Sequence, residues 1–278
     1  FTLRTYLASW TSPGAEPGYG PLFRAALGGG PEFFAGGTLD AGSDSRTLRF
    51  VGAHGLTPGK AVVFGNEIRF VAAIVDAQAV QLNAPFSLMP STGSPIGPTV
   101  AYQPATGLPS LSIFDYWSPG TAVQRLLCGA AVDETRVLIN GDFHEFEFGG
   151  QAADLVDSSS FNSGQGELLA YPQEPAAGDF DYAIVPGHLG QAWLGNMPDQ
   201  FYTITSAELT IRNDIDLRNR EFGSEIARGV AGGVRTVGMS FSLYQKDDDA
   251  TRSLYQAARS RSPISVMFQL GQQQGQLF

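Results

Sequence analysis

Thr205-Ser206-Ala207-Glu208-Leu209-Thr210-Ile211-Arg212, followed further on by Arg235-Thr236-Val237-Gly238-Met239-Ser240-Phe241-Ser242-Leu243, alternates apolar and polar side chains with a period of two. In an extended chain successive side chains point to opposite faces. Ala207, Leu209 and Ile211 therefore share one face, and Glu208, Thr210 and Arg212 the other. The odd-numbered apolar phase runs on through Ile215 and Leu217. Val237, Met239, Phe241 and Leu243 form a second such face, and Ile264, Val266, Phe268 and Leu270 a third. One-sided strands of this kind bury their apolar faces together, so the spacing predicts sheets sharing a core and a mainly β fold.

One helix interrupts the pattern. Ala250 to Arg259 is predicted helical, with Asp249 as N-cap, Pro263 beyond its end and a narrow stripe of Leu254, Ala257 and Ala258 to pack on the flank of a sandwich. A shorter helix is expected over Pro21 to Leu27, stopped by Gly28-Gly29-Gly30.

Towards the N-terminus, strands are expected at Ser110–Trp117, Thr135–Asn140 and Phe143–Phe148, the last two joined at Asn140-Gly141. In the second arm His144, Phe146 and Phe148 lie opposite Glu145 and Glu147. Between Thr38 and Pro85 come shorter units: Thr47–Val51, Ala61–Phe64, Glu67–Val75 and Ala79–Leu82, with Ile68, Phe70, Ala72 and Ile74 on one face. They suggest a small inserted β-barrel-like module that leaves through the linker Pro90–Pro98, a surface decoration whose removal leaves assembly intact. The expected division is 1–37 as an N-terminal arm and the start of a first domain, 38–98 as the module, 99–160 as the remainder of the first domain, and 161–278 as a C-terminal domain. The spans Asn162–Pro198 and Asn219–Val234 read as loops that order against neighbouring subunits.

A chain of 278 residues, 43% apolar, can bury a large core without metal or disulfide, and its 34 Gly and 17 Pro favour strands and turns. The 17 Lys and Arg against 27 Asp and Glu leave a formal charge of -10, which repels phosphate backbones. Cys128 is the single cysteine, so no intrachain disulfide forms and a reducing compartment fits. No apolar run approaches membrane-helix length, and Phe1–Trp10 lacks the apolar core of a signal peptide; a soluble protein is expected.

Residues for chemistry are scattered. His54, His144 and His188 fall in three segments, none with a second His or Cys at metal-ligand spacing. Asp247-Asp248-Asp249, Asp214-Ile215-Asp216 and Asp179-Phe180-Asp181 lack the remaining ligands of a calcium loop. There is no Gly-x-Ser-x-Gly elbow, Cys128 sits in an apolar stretch, and the glycine triplet precedes no Lys-Ser/Thr pair. No catalytic residue, metal or cofactor is expected. The aromatics Tyr116, Trp117, Trp193, Phe201 and Tyr202 keep one alternative open, a carbohydrate-binding or adhesin β-sandwich with a sugar-stacking platform.

From Ile204 to Leu277 the order of elements is strand, Leu217-Arg218-Asn219-Arg220-Glu221-Phe222-Gly223, strand, acidic-capped helix and the final Val266-Met267-Phe268-Gln269-Leu270-Gly271. This order resembles the major tail, or tail tube, proteins of long-tailed phages. The resemblance implies a β-sandwich with a flanking helix, no enzymatic activity, and rings that stack into a hollow tube through which genomic DNA passes without specific binding. It implies a place in the virion tail after assembly in the host cytoplasm, and as partners the chain itself and tape measure, tail terminator and tail tip proteins, with no membrane. Leu126 to Asp157 looks like a degenerate copy of the same strand pair. A duplicated subunit would close rings of three and a single tube domain with insertions rings of six. In such a tube Glu208, Asp214 and Asp216 are candidates to face the lumen, and Arg218, Arg220, Glu221, Phe222 and Arg235 to lie between subunits.

Overall fold

In the computed structural model the described residues are 1–10, 12–116, 124–157, 183–195, 201–202, 204–219, 221–224, 226–244 and 249–278. The chain opens with β1 (Thr2–Tyr6) and α1 (Gly20–Leu27). A run of short strands follows: β2 (Glu32–Phe34), β3 (Gly37–Thr38), β4 (Thr47–Arg49), β5 (Ala61–Phe64), β6 (Glu67–Ile74), β7 (Ala79–Leu82), β8 (Pro95–Ile96) and β9 (Thr99–Ala101). Next come β10 (Leu111–Tyr116), β11 (Gln124–Ile139), β12 (Glu145–Gln151), β13 (Asp154–Asp157), β14 (Gly190–Gly195) and β15 (Phe201–Tyr202). The remainder is β16 (Ile204–Arg212), β17 (Asp216–Leu217), β18 (Val230–Ala231), β19 (Thr236–Leu243), α2 (Asp249–Ser260) and β20 (Ser265–Leu270). The protein is mainly β.

The main sheet has the order β1-β12-β11-β16-β19, antiparallel throughout. Its register is the one the period-two pattern demands: Val137 lies opposite Phe146 on one side and Leu209 on the other, and Leu209 opposite Met239. Phe146 and Phe148 are completely buried, and α1 lays Phe23 across both, with ring centroids 5.2 Å and 5.1 Å away. Tyr19, Val137, Ala207 and Leu270 complete this core. Helix α1 begins with proline in its first turn and stops at Gly28, whose φ of 90° lets its N–H return to the Arg24 carbonyl. At the hairpin between β11 and β12, Asn140 Oδ1 accepts from the backbone N–H groups of Asp142 and Phe143, at 2.9 Å and 3.0 Å.

β11 is much longer than its Thr135–Asn140 core suggests. Its first part leaves the main sheet to pair with β10 and β13, and the bend falls at Gly129, which has a φ of 61°. A Cβ on Gly129 would also meet that of Ala153 at 3.0 Å.

A second sheet, β15-β14-β20, sends Phe268 and Leu270 into the main core. Most of the span Asn162–Pro198 lies outside the described residues, but Gly190–Gly195 within it is a strand, not a loop. Ala192, Trp193 and Leu194 are all buried, so this strand is covered on both faces and shows no alternation to read. Likewise Val230–Ala231, within the span read as a loop from Asn219 to Val234, pairs with Asp216–Leu217. Helix α2 lies beside β14 with only Ala257 of its stripe buried.

The short strands form a module with its own core of Leu48, Val62, Val71, Val80, Leu82 and Phe86, among others. Its strand pairs reach out to Glu32 and Ala101. Ile68 and Phe70 share a face with Ala72 and Ile74, but the module's interior takes the opposite face of β6, with Val71 in its core and Glu67 and Arg69 buried as well. Phe70 instead packs on Trp193, Met267 and Ala84. Gln269, 2% exposed, fastens the joint by accepting from Ile68 N–H at 2.8 Å and donating to the Asn66 carbonyl at 3.1 Å. The module is therefore built onto the outer face of the second sheet, and its removal would uncover Trp193 and Met267.

Candidate functional site

The outward face of the main sheet carries a ladder of opposite charges that follows from its register. Arg4 donates to Glu147 at 2.8 Å, Arg136 lies 3.6 Å from Glu147, and Arg136 donates to Glu208 at 2.7 Å and 2.9 Å. Arg212 pairs with Glu134 in the same way. Glu208 is thus bridged by Arg136, whose guanidinium pKa is raised above its ordinary value by that hydrogen bond and charge. The face as a whole is close to balanced.

The other residues singled out by the sequence lie at the end of the sheet beyond Arg212. Asp216, Arg218 and Glu221 line one shallow depression with Gln151. Asp214 does not join them; it is exposed in a left-handed turn, φ 51°, against Gly233. Phe222 is fully exposed near the tip of the excursion between β17 and β18. Arg220 lies outside the described residues. Arg235 is committed within the chain: its Nε donates to Asn213 Oδ1 at 2.8 Å, and its Nη2 to the carbonyls of Leu27 and Ala105 at 3.0 Å and 3.2 Å. It stabilises the C-terminal end of α1, where a cation opposes the helix dipole. Asp249 is the first residue of α2, and its carboxylate accepts from Arg252 at 3.0 Å.

Strand patterns without edge-blunting charges suggest edges open to neighbouring copies, but what the sequence does not locate is the open edge itself, which lies at β19. Val237 and Met239 carry the inward phase of β19, and the alternation predicts them buried. They are 64% and 36% exposed. β19 has a hydrogen-bonded neighbour, β16, on one side only among the described residues, and β1 at the far end of the sheet is likewise paired only with β12. The polar face of β19 is made of Gly238, Ser240 and Ser242, with none of the charges that blunt an isolated edge. Alternation shows which residues share a face but not whether anything covers it, so this site left no signal of its own.

His144 and His188, apart in the sequence, line one pocket with Asn140 and Gln191. No three His, Cys, Asp or Glu among the described residues are placed to hold a metal ion. Burial raises the Cys128 thiol pKa, which disfavours the nucleophilic thiolate. Trp193 is 5% exposed and packs against the module, so it offers no sugar-stacking surface; Trp117 and the side chains of Phe201 and Tyr202 lie outside the described residues.

His144 is 1% exposed, with Nε2 3.3 Å from the Leu189 carbonyl. Burial pushes its pKa below the ordinary 6.5. The unfolded chain then binds a proton that the folded chain refuses, so stability is full above pH 6.5 and falls as the pH drops through the folded pKa. The melting temperature is expected to decline from pH 7 to pH 5, and His144→Phe to flatten that decline. An unchanged slope would show that other groups set it.

No family model matches this chain, and no curated protein is significantly similar to it.

Proposed function

We propose that this protein is a structural subunit that assembles with copies of itself into rings, and that the rings stack into a phage tail tube. The observation that carries the reading is the edge of β19, where Val237 and Met239 lie uncovered beside unpaired backbone groups of the main sheet. An edge of this kind is a template for another strand. Pairing β19 of one copy with an edge of the next is heterologous, and a heterologous contact that closes on itself makes a ring.

Two further features support it. The hairpins β11–β12 and β16–β19 share one sheet and one core, which favours one tube unit per chain and so six chains per ring. The charge ladder on the outer face ties its carboxylates to arginines, leaving little net charge to hold passing DNA, which carries about one charge per 1.7 Å of duplex.

Purified protein viewed by negative-stain electron microscopy, with its mass measured by light scattering across a concentration series, tests the reading. Rings or tubes are expected. A monomer persisting at the highest concentrations would overturn it.

A further inference from the structure

Where the module meets the second sheet and the main core, the structure holds a partly open pocket of about 310 Å³. Its lining includes Leu209 of β16, Phe268 of β20, Ile68 and Phe70 of β6, and Trp10 and Tyr19 of the N-terminal segment. The lining is predominantly apolar, and its polar side chains fall into two groups. Thr99 Oγ1 donates to the Ala61 carbonyl at 2.7 Å, Tyr102 Oη to Glu16 at 2.9 Å, and Gln274 Nε2 reaches the Pro98 carbonyl at 3.5 Å. Tyr19 Oη and Trp10 Nε1 are buried with no hydrogen-bond partner among the described residues, and Tyr19 as a whole is 7% exposed.

Buried donors without acceptors are rare because each has lost its water and gained nothing. An indole N–H can only donate, and burial pushes the Tyr19 hydroxyl pKa well up, so it too keeps its proton. The two groups together call for an acceptor. No Lys, Arg or His lines the cavity among the described residues, so a carboxylate would be buried without a counter-charge. A neutral oxygen on an apolar body fits both the donors and the walls. At about 30 Å³ for each water-sized unit, the volume holds roughly ten non-hydrogen atoms.

We propose that this cavity is a binding site for an uncharged apolar molecule of that size bearing a single carbonyl oxygen, which accepts from Tyr19 Oη and Trp10 Nε1. The site lies within one subunit, so the inference goes beyond the assembly reading and does not depend on it.

The probes are 2-nonanone and nonanoate, titrated into the full chain at pH 8 by isothermal titration calorimetry. The ketone is expected to bind saturably with one site per chain, and nonanoate at least tenfold more weakly. Tyr19→Phe keeps the ring and removes the donor, and should weaken the ketone about fivefold to tenfold, the worth of one neutral hydrogen bond. Ile68→Trp should fill the cavity and abolish binding. In parallel, the Trp10 indole N–H resonance should move on adding ketone, which keeps the test open should either variant fail to fold. Absence of saturable ketone binding, equal affinity for nonanoate, an unchanged affinity in a folded Tyr19→Phe protein or an unmoved Trp10 resonance would each overturn the proposal.

Discussion

On the proposed assembly, Met239→Lys protein is expected to stay folded and monomeric under conditions in which the unmodified chain is expected to form rings. Met239 sits at the inward phase of an edge strand, opposite Leu209 and already 36% exposed, so a lysine stem can lie along the same surface while its ammonium group reaches water. The fold should therefore lose little. An approaching strand would have to bury that ammonium group without a partner, which is how lysines on natural edge strands prevent pairing. Light scattering should give the mass of one chain, and electron micrographs should lack rings. Tyr255→Lys, at an exposed position on α2, is the matching control and should assemble normally. Rings of unchanged abundance in Met239→Lys would remove β19 from the contact.

The largest stability effect is expected at Arg69. Its side chain is completely buried, donating to the carbonyls of Pro85 at 2.8 Å and Ile68 at 2.7 Å and to Glu67 at 3.1 Å, with the guanidinium carbon 5.5 Å from the centre of the Phe86 ring. Glu67 in turn accepts from Ser87 N–H at 2.8 Å and Ser87 Oγ at 2.6 Å. Arg69→Ala strands a buried carboxylate and at least two carbonyl groups, a loss of about 3–5 kcal/mol. Replacing both charges, as in Glu67→Gln with Arg69→Met, should recover most of it, because a buried pair contributes less than the cost of breaking it. Urea unfolding measures both proteins. A loss in Arg69→Ala below about 1 kcal/mol, the size of an ordinary surface change, would show that the pair is not structurally committed.

Strands that face core on one side and water on the other were legible in the sequence. β12 follows the alternation residue by residue, β16 keeps its predicted register, and both helices begin and end within a residue or two of their capping signals. What escaped was burial on two sides. Ala192-Trp193-Leu194 has no polar alternate to mark it as a strand, and on β6 the more apolar face docks on Trp193 and Met267 while an arginine and a glutamate go inside. The candidate site was half legible. Its residues could be assigned to faces, but the exposure of Val237 and Met239, the arginine opposite Glu208 and the intramolecular role of Arg235 are set by contacts far apart in the chain.

β11 carries a mechanical consequence. Among the described residues it is the one strand gripped on both sides in two successive stretches, by β10 and β13 and then by β12 and β16. Its hydrogen bonds run across the strand direction, so tension along β11 loads them together in shear instead of peeling them one by one. Gly129 and the register shift between Val132 and Glu134 interrupt that regular ladder between the two grips. A pull or a bend on the chain is thus expected to be taken up as curvature at this joint, with the ladders on either side moving as stiffer plates.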